Sequence, residues 1–282
     1  MPVVMPKGKK CAFIYDLHVD GPCLWFGGGF STNPLPTSVS RGEFALREGL
    51  PRMLALLRKL DLKCTFAVPG HDAESFPDRC KKIVEDGHEV IYHGYIHENV
   101  TKMTREQEEG VMRRGIEALQ KVLGVTPKGY AQHSPDVSPH TRELIEKLGM
   151  VHSMTSMASE FMPFRMRVGD VVTLDGPIKW GRETDVVEIP WCWYLDDWPY
   201  FDYIYGVQTG LRDPGQVFET YRAYFDYMYD NVPGGVMRLV HHPQVVGHAH
   251  IIPHIEALLK HIKALKDVWI ARCIDVAQAF SD

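Results

Sequence analysis

The sequence lacks any Cys-x-x-Cys pair. Its six cysteines (Cys11, Cys23, Cys64, Cys80, Cys192 and Cys273) are scattered over 282 residues, which argues against a disulfide framework. Cys64 sits in an apolar run, where a reduced core thiol is the default. Basic clusters are missing too. The net charge is −5 and no Lys/Arg group exceeds what a solvated face carries, so nucleic acid is not an expected partner. No segment reaches the length of a membrane span without charges, so no membrane partner is expected either. Residues 1–10 hold Pro and Lys but neither an apolar signal core nor a cleavage-like cluster of small residues, and the chain reads as cytoplasmic.

What is present is an ordinary globular composition, 45% apolar and 24% charged, with enough length for a large core. No linker-like break divides it, so a single domain over residues 1–282 is expected. Fourteen histidines are many for this length, and several fall close to expected strand ends.

Residues 11–15 read as a first buried strand, running into Asp16, Leu17, His18, Val19, Asp20 and Gly21. Extended alternation puts Asp16, His18 and Asp20 on one side. Residues 22–42, rich in Gly, Pro, Ser and Thr, read as a long loop, with Trp25 and Phe26 before three glycines as a candidate substrate wall. A helix is expected over 51–60, a strand over 64–68, a helix over 74–85 and a strand over 90–92. Thr104 to Gln107 is a capping box, opening a helix that stops at Gly124. A short strand at 128–131 and a helix from Ser138-Pro139 to Gly149 come next, then strands at 171–174 and 186–189. A helix capped by Asp213, a strand at 236–240, a helix near 253–265, a strand at 268–271 and a short helix from Asp275 finish the chain.

Strands and helices alternate about seven times, which argues for a parallel α/β fold. Polar residues stand just after successive strands: Asp20, His71, His93, Gln132, Asp196 and His242. In a closed barrel such ends converge on one face. A doubly wound sheet would want a Gly-rich phosphate turn after the first strand, and residues 16–21 supply none. A barrel is the expectation.

His93 and His97 converge on one point if the backbone turns helically after Gly94. With Asp20 they offer two neutral imidazoles and a carboxylate, the donor set of a catalytic zinc with open positions. Such an ion polarises a carbonyl and acidifies bound water. The same set describes a non-haem iron triad, but those usually sit in β-rich jelly rolls, so hydrolysis is favoured. Hydrolysis needs a base and an acid. His18 and Asp16 flank Asp20, while His242 comes from a different strand end, with Asp196 or Asp197 able to orient it.

In their order these motifs resemble the polysaccharide deacetylase family (NodB homology). The resemblance rests on residues 16–21 (Asp-Leu-His-Val-Asp-Gly), 64–71 (Cys-Thr-Phe-Ala-Val-Pro-Gly-His) and 87–98, then on Lys128-Gly129-Tyr130, Asp196-Asp197-Trp198 and Leu239-Val240-His241-His242-Pro243. Further likeness at 40–43, 49–52 and 182–185 resembles a branch holding peptidoglycan deacetylase-like proteins, allantoinase-like proteins and cyclic imide hydrolases. The resemblance implies a deformed (β/α)7-8 barrel and a divalent metal, zinc first, on Asp20, His93 and His97. It implies His242 as general acid, Asp197 near the catalytic centre, Trp198 in the pocket wall, and a homo-oligomer, dimer or tetramer.

There are two departures. The family's base aspartate stands one or two positions before the metal aspartate, where this chain has Val19 and His18, so the base is His18 or Asp16. The usual Arg-x-Pro after Gly-Tyr is replaced by Gln132, His133 and Ser134, which makes Gln132 and His133 candidate substrate contacts. A small-molecule substrate is expected, a cyclic imide or amide ahead of an N-acetyl sugar. A rim of Trp25, Phe26, Trp191, Trp193, Trp198 and Tyr200 would suit a planar ring. The competing readings are an N-acetyl-sugar or peptidoglycan deacetylase, and a non-catalytic ligand-binding protein on the same barrel.

Overall fold

Apolar runs with polar tips become strands of one nine-stranded sheet in the computed structural model, which describes residues 3–27, 35–204 and 206–280. In chain order β1 (Cys11–His18) leads to α1 (Leu24–Gly27), α2 (Pro36–Phe44), a π-helical turn (Ala45–Gly49) and α3 (Leu50–Leu60). Then come β2 (Thr65–Val68), α4 (Gly70–Ser75), α5 (Pro77–Glu85), β3 (Glu89–Tyr92) and α6 (Arg105–Leu123). β4 (Gly129–Ala131), α7 (Thr141–Lys147), β5 (His152–Met154), β6 (Phe164–Val168), β7 (Arg182–Glu188) and α8 (Trp198–Phe201) follow. The chain ends through α9 (Pro214–Asn231), β8 (Val236–His241), α10 (Pro243–Val246), α11 (Ile252–Ala264), β9 (Val268–Ala271) and α12 (Cys273–Ala279). No helix among the described residues is long and apolar enough to cross a membrane.

The strand order is β6-β7-β5-β4-β3-β2-β1-β8, with β9 on β1. All neighbours are parallel except β6 and β7. β1 is the axis. Its upper part, Asp16 to His18, pairs with β2, its lower part, Cys11 to Ile14, pairs with β9, and β8 runs along the other side. All eight of its residues are buried, as a parallel strand covered on both faces requires. This is the α/β architecture of a deformed barrel, and the deformation lies between β7 and β8. There a single parallel bridge joins Asp196 to Val240, and the Asp197 N–H bonds the Val240 carbonyl at 3.2 Å. The segment after β7 is thereby laid against the end of β8, beside His242.

Several elements differ from expectation. Residues 36–44 are helical where a loop is expected, and the helix continues through the π turn into α3; the three glycines after Phe26 run from Gly27, at the end of α1, into 28–29, outside the described residues. Pro77 splits the helix expected over 74–85 into α4 and α5, because its ring leaves no N–H to continue the ladder. The strand expected at 171–174 is a single bridge from Val171 to Lys179 at an exposed tip, and the strand of that region is β6. The capping box at Thr104 forms, with the Thr104 N–H on Gln107 Oε1 at 2.9 Å and the Gln107 N–H on Thr104 Oγ1 at 3.3 Å.

Candidate active site

Asp20 lies two residues beyond β1. Asp72, on α4, fixes the turn that follows by accepting the Gly21 N–H at 2.7 Å and the Cys23 N–H at 3.3 Å. His93 comes directly after β3. The expected helical turn beyond Gly94 does not form: Gly94 (φ +80°) and His97 (φ +59°) are both left-handed. That conformation is unfavourable for a residue with a Cβ, and the buried Glu98 holds the loop by accepting the Tyr95 and Ile96 N–H groups at 3.0 Å. The loop brings the His93 and His97 rings to 5.0 Å.

Asp20 Oδ1 is 3.1 Å from His93 Nε2, and Oδ2 is 3.5 Å from His97 Nε2. His93 Nδ1 faces the Ala131 carbonyl at 3.2 Å, so the ring proton is on Nδ1 and Nε2 is an acceptor. Two acceptors, Nε2 and a carboxylate oxygen, therefore sit side by side, and neither makes a hydrogen bond. Buried polar atoms are rarely left so, and a cation shared between them satisfies both. One carboxylate and two imidazoles suit a divalent ion such as zinc. The charge states agree. Burial works to raise the Asp20 carboxyl, but His97 and His93 outweigh it and hold it well below the usual carboxylate range. Burial pushes His97 down to about 3 against the pull of Asp20, leaving a neutral donor.

Two side-chain pairs flank this centre. On one side His18 Nε2 donates to Asp16 Oδ2 at 3.1 Å, and Arg238 donates to the same oxygen from Nε at 2.9 Å and Nη2 at 2.6 Å. Burial works to raise Asp16, yet Arg238 and His18 hold it well below its ordinary range. Burial pushes His18 down to about 4, with Asp16 opposing. On the other side His242 Nδ1 meets Asp197 Oδ1 at 2.6 Å, while Asp197 Oδ2 accepts the His242 N–H at 2.9 Å. His242 Nε2 is 3.5 Å from Asp20 Oδ2. Burial disfavours its imidazolium, but Asp197, Asp196 and Asp20 outweigh that and push it up to about 10. Asp196 is pushed up to about 7 by burial, against the pull of His242.

A cavity of about 110 Å³ opens over these groups, walled by Gln132, His133, Met154, Trp191, Trp193 and Trp198. It combines an apolar wall with a few convergent polar groups, the usual form of a small-ligand site.

A polysaccharide deacetylase model matches residues 40–152, a span that includes His93 and His97. The peptidoglycan deacetylase of Helicobacter pylori is 34% identical over 275 residues, covering 93% of this chain and 94% of that protein. The chain belongs to the polysaccharide deacetylase family. A candidate polysaccharide deacetylase from Mycobacterium smegmatis has a TM-score of 0.86 at 30% identity, over 98% of this chain and 92% of that one. An allantoinase gives a TM-score of 0.80 at 20% identity, over 99% and 93%, and shows the fold alone. As a polysaccharide deacetylase, the protein is a hydrolase of amide C–N bonds outside peptides. The preference for a cyclic imide finds no support in these relatives. They favour the alternative, an N-acetyl-glycan deacetylase.

Of the residues read from the sequence of this deacetylase, Asp20, His93, His97, His18, His242, Gln132, His133 and Trp198 line one pocket. Asp16 and Asp197 stand behind it, each bonded to a histidine. Trp25 does not line it: the indole packs behind Trp198, ring centroids 6.4 Å apart, and walls a neighbouring cavity instead. Phe26 packs on His71, and Tyr200 turns to Tyr221. Arg238, Asp72 and Glu98 were not anticipated. For Arg238 a signal exists, since a charge in the middle of Val-Met-Arg-Leu-Val implies a buried partner. For Asp72 and Glu98 nothing local sets them apart from other acidic residues.

Proposed function

We propose that this deacetylase removes acetyl groups from the N-acetylated sugars of a peptidoglycan-type glycan, with a divalent ion, zinc first, on Asp20, His93 and His97. The observation that carries the reading is the pair of facing acceptors, Asp20 Oδ1 and His93 Nε2, 3.1 Å apart and both without a hydrogen bond. The name of the Helicobacter relative and its similarity over nearly the whole chain support the substrate class. When bound, the ion supplies a Lewis acid that polarises the acetyl carbonyl and lowers the pKa of water.

The chain's own residues move the protons. His18 keeps its proton on Nε2, donating it in a hydrogen bond to the ionised Asp16, so Nδ1 is the acceptor that receives a proton from the attacking water. Asp16, held by Arg238, keeps that tautomer, and burial keeps the ring neutral and ready. His242, on the opposite side, carries a proton at neutral pH and gives it from Nε2 to the departing sugar nitrogen. Asp197 holds the other ring nitrogen and the backbone N–H, so the imidazole does not swing away. Trp191, Trp193 and Trp198 pack on the apolar faces of the sugar and keep bulk water out. Water and the amide thus become acetate and a free amine.

Acetate release from N-acetylglucosamine oligomers and from peptidoglycan strands tests the reading. Release is expected from zinc-loaded protein, is lost on chelation and returns with zinc. Zinc-loaded protein that releases no acetate from either, yet opens a cyclic imide or allantoin, overturns it.

A further inference from the structure

Gln132, His133 and Ser134 follow β4, where the family has Arg-x-Pro, and none of them takes part in the proton transfers. Two are occupied within the loop itself. Gln132 Nε2 donates to the Ser134 carbonyl at 2.9 Å, and the Ser134 hydroxyl donates to the Asp136 carbonyl. His133 differs. It is 1% exposed and lines the cavity over the metal site, yet neither ring nitrogen has a hydrogen-bond partner among the described residues. An imidazole always carries at least one N–H, and a buried donor left empty is costly. A group that enters the cavity is the partner this ring lacks.

The ring is fixed by its neighbours. Its centroid lies 5.7 Å from that of Tyr92, 5.6 Å from Tyr130, and 5.9 Å from both His93 and His97. A Cβ at Gly94 would stand 3.0 Å from His133 Cδ2, so the glycine that turns the loop of His93 and His97 also makes room for this ring. Its place around the cavity follows from a chain of ring contacts. His242 meets His18 at 5.3 Å, His18 meets His93 at 4.4 Å, and His93 meets His133. His242, at one end of this arc, serves the amide nitrogen, and His18 serves the water. His133, at the other end, is left with the rest of the amide, its acyl oxygen and methyl.

Resting on the deacetylase reading, we propose that His133 is a further catalytic residue, whose ring N–H donates to the acyl oxygen as that oxygen takes on negative charge. A donor already fixed by packing stabilises such charge without reorganising during the reaction. The contact is with the acyl group, so it does not depend on which amine carries the acetyl.

Two substitutions and two readouts test this. His133→Phe keeps a planar ring against Tyr92 and Tyr130 but removes both nitrogens, whereas His133→Gln keeps a donor. With N-acetylglucosamine oligomers, His133→Phe is expected to lower kcat by about 10²–10³-fold, with KM near wild type. His133→Gln regains about tenfold of that loss. Zinc content and the urea midpoint stay near wild type in both. The second readout needs no turnover. Acetate, which presents the same methyl and oxygen, is titrated calorimetrically into zinc-loaded protein, and its affinity falls about tenfold in His133→Phe and by less in His133→Gln. Equal acetate affinity in wild type and His133→Phe, or zinc or fold lost together with activity in both variants, overturns the proposal. Wild type that binds acetate through His133 but releases none from the oligomers sinks the deacetylase reading and leaves the contact standing. Release at an unchanged kcat in His133→Phe sinks the contact alone.

Discussion

Asp16 and Arg238 form a fully buried ion pair, and such a pair adds little net stability over apolar residues of the same shape. Its value lies in what it does to His18. Two substitutions separate chemistry from structure here. His18→Ala removes the base but no buried charge partner of Arg238, so turnover is expected to fall by about 10²–10⁴-fold while zinc content and the urea midpoint stay near wild type. Asp16→Asn strands the Arg238 charge in the core, which costs about 3–5 kcal/mol in urea unfolding, and it lowers turnover as well by loosening the imidazole. If His18→Ala turns over at the wild-type rate, water gives its proton elsewhere and the base is misassigned. At this scale the sequence is readable wherever a polar residue follows an apolar strand, which covers Asp20, His93 and His242. It is silent where a partner is remote: Asp16 and Arg238 are 222 positions apart. The left-handed backbone of His97 leaves no local trace, because Glu98 and the fold impose it. Trp25 shows the opposite failure, since an indole before glycines looks the same in a wall as behind one.

Among the elements, the helix over residues 36–60 is the clearest case of tertiary contacts overriding local signals. Gly42, Gly49 and Pro51 all read as breaks. The chain runs through them with a π turn in which the Leu50 N–H reaches back five residues to the Ala45 carbonyl, just before the proline whose ring would crowd an ordinary turn. The glycines are there for contact. A Cβ at Gly42 would meet the Gly21 and Pro22 backbone, and one at Gly49 would meet the Pro243 carbonyl oxygen at the start of α10. The π turn thus packs on the element that follows His242, and π turns are frequent at functional sites. Gly49→Ala sets two effects against each other. Helix propensity alone gains about 1 kcal/mol, whereas crowding a well-packed contact costs about 1–3 kcal/mol. Pro243 is backbone-fixed and has little room to give, so crowding wins: stability in urea falls, and turnover falls with it as α10 and His242 shift. A variant more stable than wild type, with unchanged turnover, would mean that α10 yields freely. β6 is the element most open to a better reading: Phe-Arg-Met-Arg-Val has period two, whereas the apolar 171–174 stretch is an exposed tip.

Over the whole molecule, the histidines govern how stability responds to acid. Far from the ligand set, His88 is buried, receives the Cys64 N–H on Nδ1 at 3.2 Å, and is pushed down to about 4 by burial and then by Lys63. His241 is fully buried on Tyr15, whose hydroxyl is 2.9 Å from Nδ1, and burial pushes it down to about 4 as well, with Asp197 opposing. Both are ordinary histidines in the unfolded chain, with a pKa of about 6.5. Between pH 6.5 and 4 the unfolded state therefore binds protons that the native state refuses, and stability drops as pH falls through that window. For His241, enclosed on all sides, the contribution is on the order of 3 kcal/mol once the window is crossed. The depressed carboxylates work in a lower window: Asp16 and Asp20 keep their contribution above the ordinary carboxylate pKa and lose it only below about pH 4. Metal-free protein, in which ligand protonation cannot release an ion, is expected to lose urea stability steadily from pH 7 to pH 4.5. His88→Gln, whose amide oxygen can still accept the Cys64 N–H, is expected to reduce that slope by one group's share while costing stability at pH 7. A metal-free protein whose stability is flat over this range would mean that these rings open to water before they protonate, and that the core around them is looser than its packing implies.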